Sequence, residues 1–267
     1  MGGECLKRGL ILRMIACAGI VSALLSGCGA AQSDARRAEL EQGRAYLRAL
    51  EQRDPNEVTQ ELRRLRLEKL QAERAEREQE LMDNRDAVWQ EFRDYAILGD
   101  SRAIGFYYYD FLEKERVLAG GGETIADVPD HLEQLRALDP AYVFLCYGVN
   151  DVGIGYWKTS GEYAAAMADT VRLLQAELPD ATIIVSSLLP AQEVAFQKGP
   201  AWRNIPEYSH AVQDWCKENG VCFADNDQIA ADHAGLYQPD GVHLQPEFYP
   251  YWGVNLIIAS WGELADE

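Results

Sequence analysis

Three residue types in this 267-residue chain could together break an acyl bond: a serine, a histidine and a carboxylate. Ser101 closes the run Gly99-Asp100-Ser101, and Asp240 and His243 share the short segment Asp240-Gly241-Val242-His243. A serine hydroxyl is a poor nucleophile until a base takes its proton, and the base must be held by a third group. His243 can be that base, and Asp240, three residues earlier, can turn back within one loop to orient it. A tetrahedral oxyanion also needs hydrogen-bond donors. The Ser101 N–H, a glycine N–H from Gly120-Gly121-Gly122, and the side-chain amide of Asn150 in Gly148-Val149-Asn150-Asp151 could supply three. Asp100 and Asp151 read as acceptors that fix loops. No glycine stands two residues after Ser101, so the nucleophile elbow of the α/β-hydrolases is not indicated.

These residues must be brought together by something, and the flanking sequence says what. Five short apolar runs each end in turn residues: Tyr95–Leu98, Val117–Ala119, Tyr142–Cys146, Thr182–Val185 and Val221–Phe223. Amphipathic stretches lie between them, as at Asp130–Leu138, Tyr163–Leu178 and Tyr208–Glu218. That alternation predicts an α/β fold with a five-stranded parallel sheet wrapped by helices. Sites in such sheets lie at the carboxyl ends of the strands. Ser101 follows the first run and Asn150 the third. Phe106, Tyr107, Tyr108, Tyr109 and Phe111 are expected to form most of the buried face of the first helix, and Tyr156 and Trp157 could wall the cleft. His131, His210 and His233 have no partner at catalytic spacing and read as surface or packing residues.

Gly99-Asp100-Ser101, Gly122, Gly148-x-Asn150-Asp151 and Asp240-x-x-His243 resemble, in order, the four blocks of the SGNH/GDSL hydrolases. The resemblance runs from Tyr95 to about Leu264. It implies a three-layer α/β/α, flavodoxin-like fold, no metal and no cofactor, and ester hydrolysis through an acyl-enzyme. It further implies Ser101 as nucleophile, Ser101, Gly122 and Asn150 as oxyanion donors, His243 as base and Asp240 as its partner. Gly122 is preferred because Glu123-Thr124 follows it, as an acidic residue and Thr often do in the family; Gly120 is the alternative.

Ahead of this domain the chain changes character. Lys7, Arg8 and Arg13 precede an apolar run, Met14–Leu25, too short to span a bilayer comfortably. Leu25-Ser26-Gly27-Cys28 resembles a bacterial lipoprotein cleavage box, which would make Cys28 the lipidated first residue of the mature chain. From Ser33 to Phe92 the sequence is rich in Glu, Arg, Ala, Leu and Gln, a helix-forming composition broken at Asp54-Pro55. The partition expected is a signal peptide over 1–27, a charged helical stalk or linker over 28–93, and the hydrolase domain over 94–267. The helical segment fits a spacer that lifts the enzyme off the membrane, a self-associating coiled coil, or a helical pair packed on the catalytic domain.

Charge follows the same division. From Tyr95 onward 9 Lys/Arg face 26 Asp/Glu, a net of −17, whereas the preceding residues balance to −1. An acidic globule repels phosphate backbones, so nucleic acid is not an expected partner. Cys146, Cys216 and Cys222 form no CxxC, which argues against structural zinc; Cys216 and Cys222 could pair outside the cytoplasm. The expected protein is a lipid-anchored, extracytoplasmic serine esterase acting on short acyl, above all acetyl, esters of cell-surface glycans or small molecules. An O-acyltransferase with the same triad and an inactive binding lipoprotein are the alternatives.

Overall fold

The structure is a computed structural model that describes residues 30–51 and 54–262; the expected leader and Cys28 lie outside the described residues. Helix α1 spans Ala30–Glu51 and α2 spans Pro55–Asp83. The break at Pro55 has the expected chemistry: the Asp54 carboxylate accepts the Asn56 N–H at 2.8 Å, and proline at the first helical position forfeits only an N–H that had no partner. No helix among the described residues is long and apolar enough to cross a membrane.

The chain divides into two compact units, Met1–Arg66 and Leu67–Glu267. In the first, Leu40, Leu47, Leu62 and Leu65 are exposed. The second opens inside α2, so the border expected at residue 94 falls within it. The reason is burial. Leu81 and Val88 are fully buried and Phe92 nearly so. The Arg74 guanidinium donates to the carbonyls of Trp261 at 2.5 Å and Gly262 at 2.7 Å, and Arg77 pairs with Glu91. Burying one leucine such as Leu81 contributes about 1.5–3 kcal/mol, so Leu81, Val88 and Phe92 tie residues 67–93 to the hydrolase unit, while most of residues 67–80 face solvent.

Within this unit the strands are β1 (Tyr95–Gly99), β2 (Val117–Ala119), β3 (Tyr142–Cys146), β4 (Thr182–Ser186) and β5 (Cys222–Ala224). The helices are α3 (Gly105–Tyr108), α4 (Leu132–Leu138), α5 (Val149–Ile154), α6 (Ser160–Glu177), α7 (Ile205–Asn219), α8 (Asp227–Asp232) and α9 (Tyr249–Ser260). All pairings are parallel and the order is β2-β1-β3-β4-β5. Successive side chains on a strand point to opposite faces. Ala96, Leu98, Val143 and Leu145 accordingly pack with Met167 and Val171 of α6 and Val212 of α7. Ile97, Phe144 and Ile184 pack with Phe106 and with Trp252 of α9. Apolar residues on both faces explain why the strands read as unbroken hydrophobic runs. Because β1 lies between β2 and β3, the chain leaves it in opposite directions, and the crevice at that switch point opens beside Ser101.

Candidate active site

β1 ends at Gly99, and the next carboxylate fixes the turn. Asp100 is 1% exposed; its Oδ1 accepts the Arg102 N–H at 2.9 Å and its Oδ2 the Val149 N–H at 3.3 Å. One side chain therefore ties the end of β1 to the end of β3. Burial pushes the Asp100 carboxyl above its usual range, opposed by the charge of Arg102 and by the two N–H donors.

Ser101 is half-buried at the centre of this turn, with Oγ 3.1 Å from His243 Nε2. His243 Nδ1 lies 2.6 Å from Asp240 Oδ2, while Asp240 Oδ1 accepts the N–H groups of Val242 at 2.8 Å and His243 at 3.0 Å. The loop holding both residues closes on itself: Tyr237 bridges Leu244, and the Gln238 N–H donates to the His243 carbonyl at 2.8 Å. Burial pushes the Asp240 carboxyl up. Hydrogen bonds from the His243 ring and from the N–H groups of Val242 and His243 outweigh that and hold it at about 2. With Asp240 ionised, the imidazole proton belongs on Nδ1, which leaves the Nε2 lone pair for the Ser101 proton.

Three donor groups around this turn each keep one N–H hydrogen unspent. Among the described residues the backbone N–H groups of Ser101 and Gly122 donate to no acceptor. Asn150 Nδ2 uses one hydrogen on the Glu123 carbonyl at 2.9 Å, and its second is left over. Gly120 differs: its N–H is spent on the Gly99 carbonyl at 3.3 Å. Of the two glycines weighed from sequence, Gly122 thus keeps its donor available and Gly120 does not. Gly122 sits at φ +88° and Gly148 at φ +141°, where a side chain would be strained, and at Gly148 a Cβ would also strike Leu188.

Asp151, fully buried behind Asn150, accepts the Ile125 N–H at 3.0 Å and so binds the β2 exit loop to α5. Burial, opposed by that N–H, pushes its carboxyl up to about 7. Asp100 and Asp151 are loop-fixing acceptors, as the sequence suggests.

Other expectations come out differently. The cleft holding Ser101 and His243 has a volume of 190 Å³ and is lined by Ile104, Tyr108, Tyr109, Gln238 and Leu244. Tyr108 is 70% exposed at this cleft instead of buried, because α3 lasts only four residues and cannot carry a continuous apolar face. Tyr156 and Trp157 are not part of that lining; Tyr156 is exposed, and Trp157 packs on the Tyr163 ring. His131 has a partner that sequence spacing did not show, Glu123 Oε2 at 3.1 Å.

Comparison with known proteins follows this geometry. The family model described as GDSL-like lipase/acylhydrolase matches residues 97–249, more than half of the chain. The chain belongs to the GDSL-like lipase/acylhydrolase family. It is accordingly a serine ester hydrolase, with the five-stranded α/β fold of that family. The GDSL match starts in β1 and ends at the first residue of α9, so it takes in all four motif blocks. Among solved structures it is similar to a lipase/acylhydrolase from Enterococcus faecalis, at 17% identity and a TM-score of 0.52, covering 64% of this chain and 98% of that one. It is also similar to a GDSL-like lipase from Bacteroides thetaiotaomicron, at 21% identity and a TM-score of 0.50, covering 67% and 94%. At those identities the likeness is one of fold. No curated protein matches the sequence.

Proposed function

We propose that this GDSL-family hydrolase removes short acyl groups through an acyl-enzyme on Ser101. The observation that carries the proposal is the hydrogen-bonded series Ser101 Oγ–His243 Nε2 and His243 Nδ1–Asp240 Oδ2, at 3.1 and 2.6 Å. Ser101 Oγ attacks the ester carbonyl as its proton passes to His243 Nε2. The resulting oxyanion takes the N–H groups of Ser101 and Gly122 and the spare hydrogen of Asn150 Nδ2. The C–O bond to the alcohol then breaks, and His243 returns the proton to the leaving oxygen. Water repeats the sequence on the acyl-enzyme: His243 takes its proton, the acid departs, and Ser101 recovers its hydrogen.

Short acyl groups are favoured by size. The 190 Å³ cleft is smaller than the roughly 300–1,000 Å³ of drug-sized ligand pockets. The exposed ring of Tyr108 at the same cleft gives a flat face for the alcohol part of the ester, which suits an acetylated sugar. Turnover of p-nitrophenyl esters graded by chain length tests this on the full chain. The rate should be highest with acetate and fall by about tenfold or more at octanoate. Equal or faster octanoate turnover would refute the short-chain assignment. With an acetylated sugar and a free sugar acceptor present, free acetate should be the product; acetyl transfer to the acceptor would make the protein a transferase.

We also propose that Cys28 carries a lipid anchor and that the enzyme acts outside the cytoplasm. Support comes from the sequence pattern: basic residues, the Met14–Leu25 apolar run and Leu25-Ser26-Gly27-Cys28. Cys28→Ala should move the protein from the membrane to the soluble fraction of fractionated cells. Unchanged sedimentation with membranes would point to an uncleaved apolar anchor instead.

A further inference from the structure

The loop from Gly120 to Thr124 supplies two elements of the oxyanion site assigned above: the Gly122 N–H and the Glu123 carbonyl that accepts Asn150 Nδ2. Three glycines in succession make it a conformationally permissive segment. Its ends are fixed. Gly120 donates to Gly99 on the sheet side. On the other side Thr124 and Asp127 form a capping box on the 3₁₀ helix Ile125–His131, and the Ile125 N–H is held by Asp151. Between those ends Gly121 and Gly122 donate to no acceptor among the described residues. One long bond, from the Glu123 N–H to the Gly120 carbonyl at 3.3 Å, closes the turn, so the Glu123 side chain is a second restraint on that residue's position.

That side chain does not point into solvent. It folds back over Gly120, where any Cβ would collide with the carboxylate, and its Oε2 meets His131 Nε2 at 3.1 Å. Both side chains are largely shielded, at 26% and 19% exposure. His131 is the last residue of the 3₁₀ helix whose first turn the capping box fixes. The pair therefore joins the far end of that helix to the loop at Glu123. The capping box would secure the helix without any such pair.

We propose that Glu123 and His131 are positioning residues for ester hydrolysis: their paired side chains hold the Glu123 backbone, and through its carbonyl they set the direction of Asn150 Nδ2 and the placement of the Gly122 N–H. Neither side chain touches the reacting atoms in this role. The proposal rests on the oxyanion site assigned above, so its test is built to fail separately.

An oxyanion donor held in place contributes about 10²–10³ in kcat, and a loosened one keeps part of that. His131→Ala in the full chain should lower kcat on p-nitrophenyl acetate by about tenfold, with KM within twofold and the thermal midpoint little changed. His131→Gln can still donate to the Glu123 carboxylate and should recover most of the rate. Glu123→Ala should match His131→Ala, and the double variant should be no slower than either, because the two act as one unit. Wild-type kcat in His131→Ala overturns the proposal. So does an equal loss in the Ala and Gln variants, or losses that multiply in the double variant. Failure of the oxyanion assignment reads out elsewhere: Asn150→Ala would then turn over at the wild-type rate.

Discussion

Ser101→Ala should turn over p-nitrophenyl acetate at no more than about 10⁻⁴ of the wild-type rate, and His243→Ala should fall by a similar factor. The Ser101→Ala and His243→Ala double variant should be little slower than either. The expectation follows from how the two side chains share one proton. Without Oγ there is no acyl-enzyme, and without Nε2 at 3.1 Å nothing takes the hydroxyl proton. Removing a second member of a unit that has already failed costs almost nothing more, as subtilisin's triad shows. Residual hydrolysis should come from bound substrate and the donors of Ser101, Gly122 and Asn150, which survive both substitutions. Circular dichroism and an active-site serine probe complete the measurement. Wild-type turnover by folded Ser101→Ala protein would end the proposal for Ser101.

Asp240→Ala should lower kcat by about 10³–10⁴, less than the loss of Ser101 and more than the loss of one oxyanion donor. The carboxylate orients His243 through the 2.6 Å bond to Nδ1, and it also holds the loop by accepting two N–H groups. Asp240→Asn separates these roles. Its carbonyl can still accept the backbone N–H groups, but its amide meets Nδ1 as a donor and favours the tautomer that places the proton on Nε2, where it blocks the base. Asn should therefore be as slow as Ala while folding better. A pH titration of the Asp240 carboxyl carbon followed by NMR tests the charge, since the rate on the acid side also requires a neutral His243 base. Because Asp240 is held at about 2, below its ordinary value, it stays ionised as pH falls through the usual carboxylate range. A carboxyl signal that titrates with a midpoint near 4 would show the carboxylate protonating where it should not.

Both substitutions act on a frame that is itself built from carboxylates. Asp100 joins the ends of β1 and β3, Asp151 joins the β2 exit loop to α5, and Asp240 closes its own loop. Each accepts at least one backbone N–H, which fixes the chain at that point. The catalytic loops are therefore tied to the sheet by side chains adjacent in sequence to the residues they position: Asp100 to Ser101, and Asp151 to Asn150.

The sequence by itself determined the sheet and which residue types could carry the proposed chemistry. Buried parallel strands must be apolar on both faces, so five runs were visible as runs, and Asp54-Pro55 marked a helix start through chemistry local to four residues. Ser101, Asn150, Asp240 and His243 stood out because acyl transfer needs those residue types, and two of them fall within one loop. The tertiary structure decided what depends on contacts distant along the chain. Gly120 and Gly122 look alike in sequence, and only the pairing of β1 with β2 spends the Gly120 N–H on Gly99. Among the aromatics expected mostly inside, Tyr108 stands exposed on the four-residue helix α3, where Phe106 takes the buried face. His131 and Glu123 are eight residues apart, and a 3₁₀ helix with a turn before it brings them together. The charged segment 67–93 reads as solvent-facing helix, since its period shows no continuous apolar seam. Its place in the hydrolase unit rests on a few residues, such as Leu81 and Arg74, whose partners lie far along the chain. Local propensity and periodicity report which groups exist and which segments are regular; the use of each donor and each face is fixed only when remote segments compete for it.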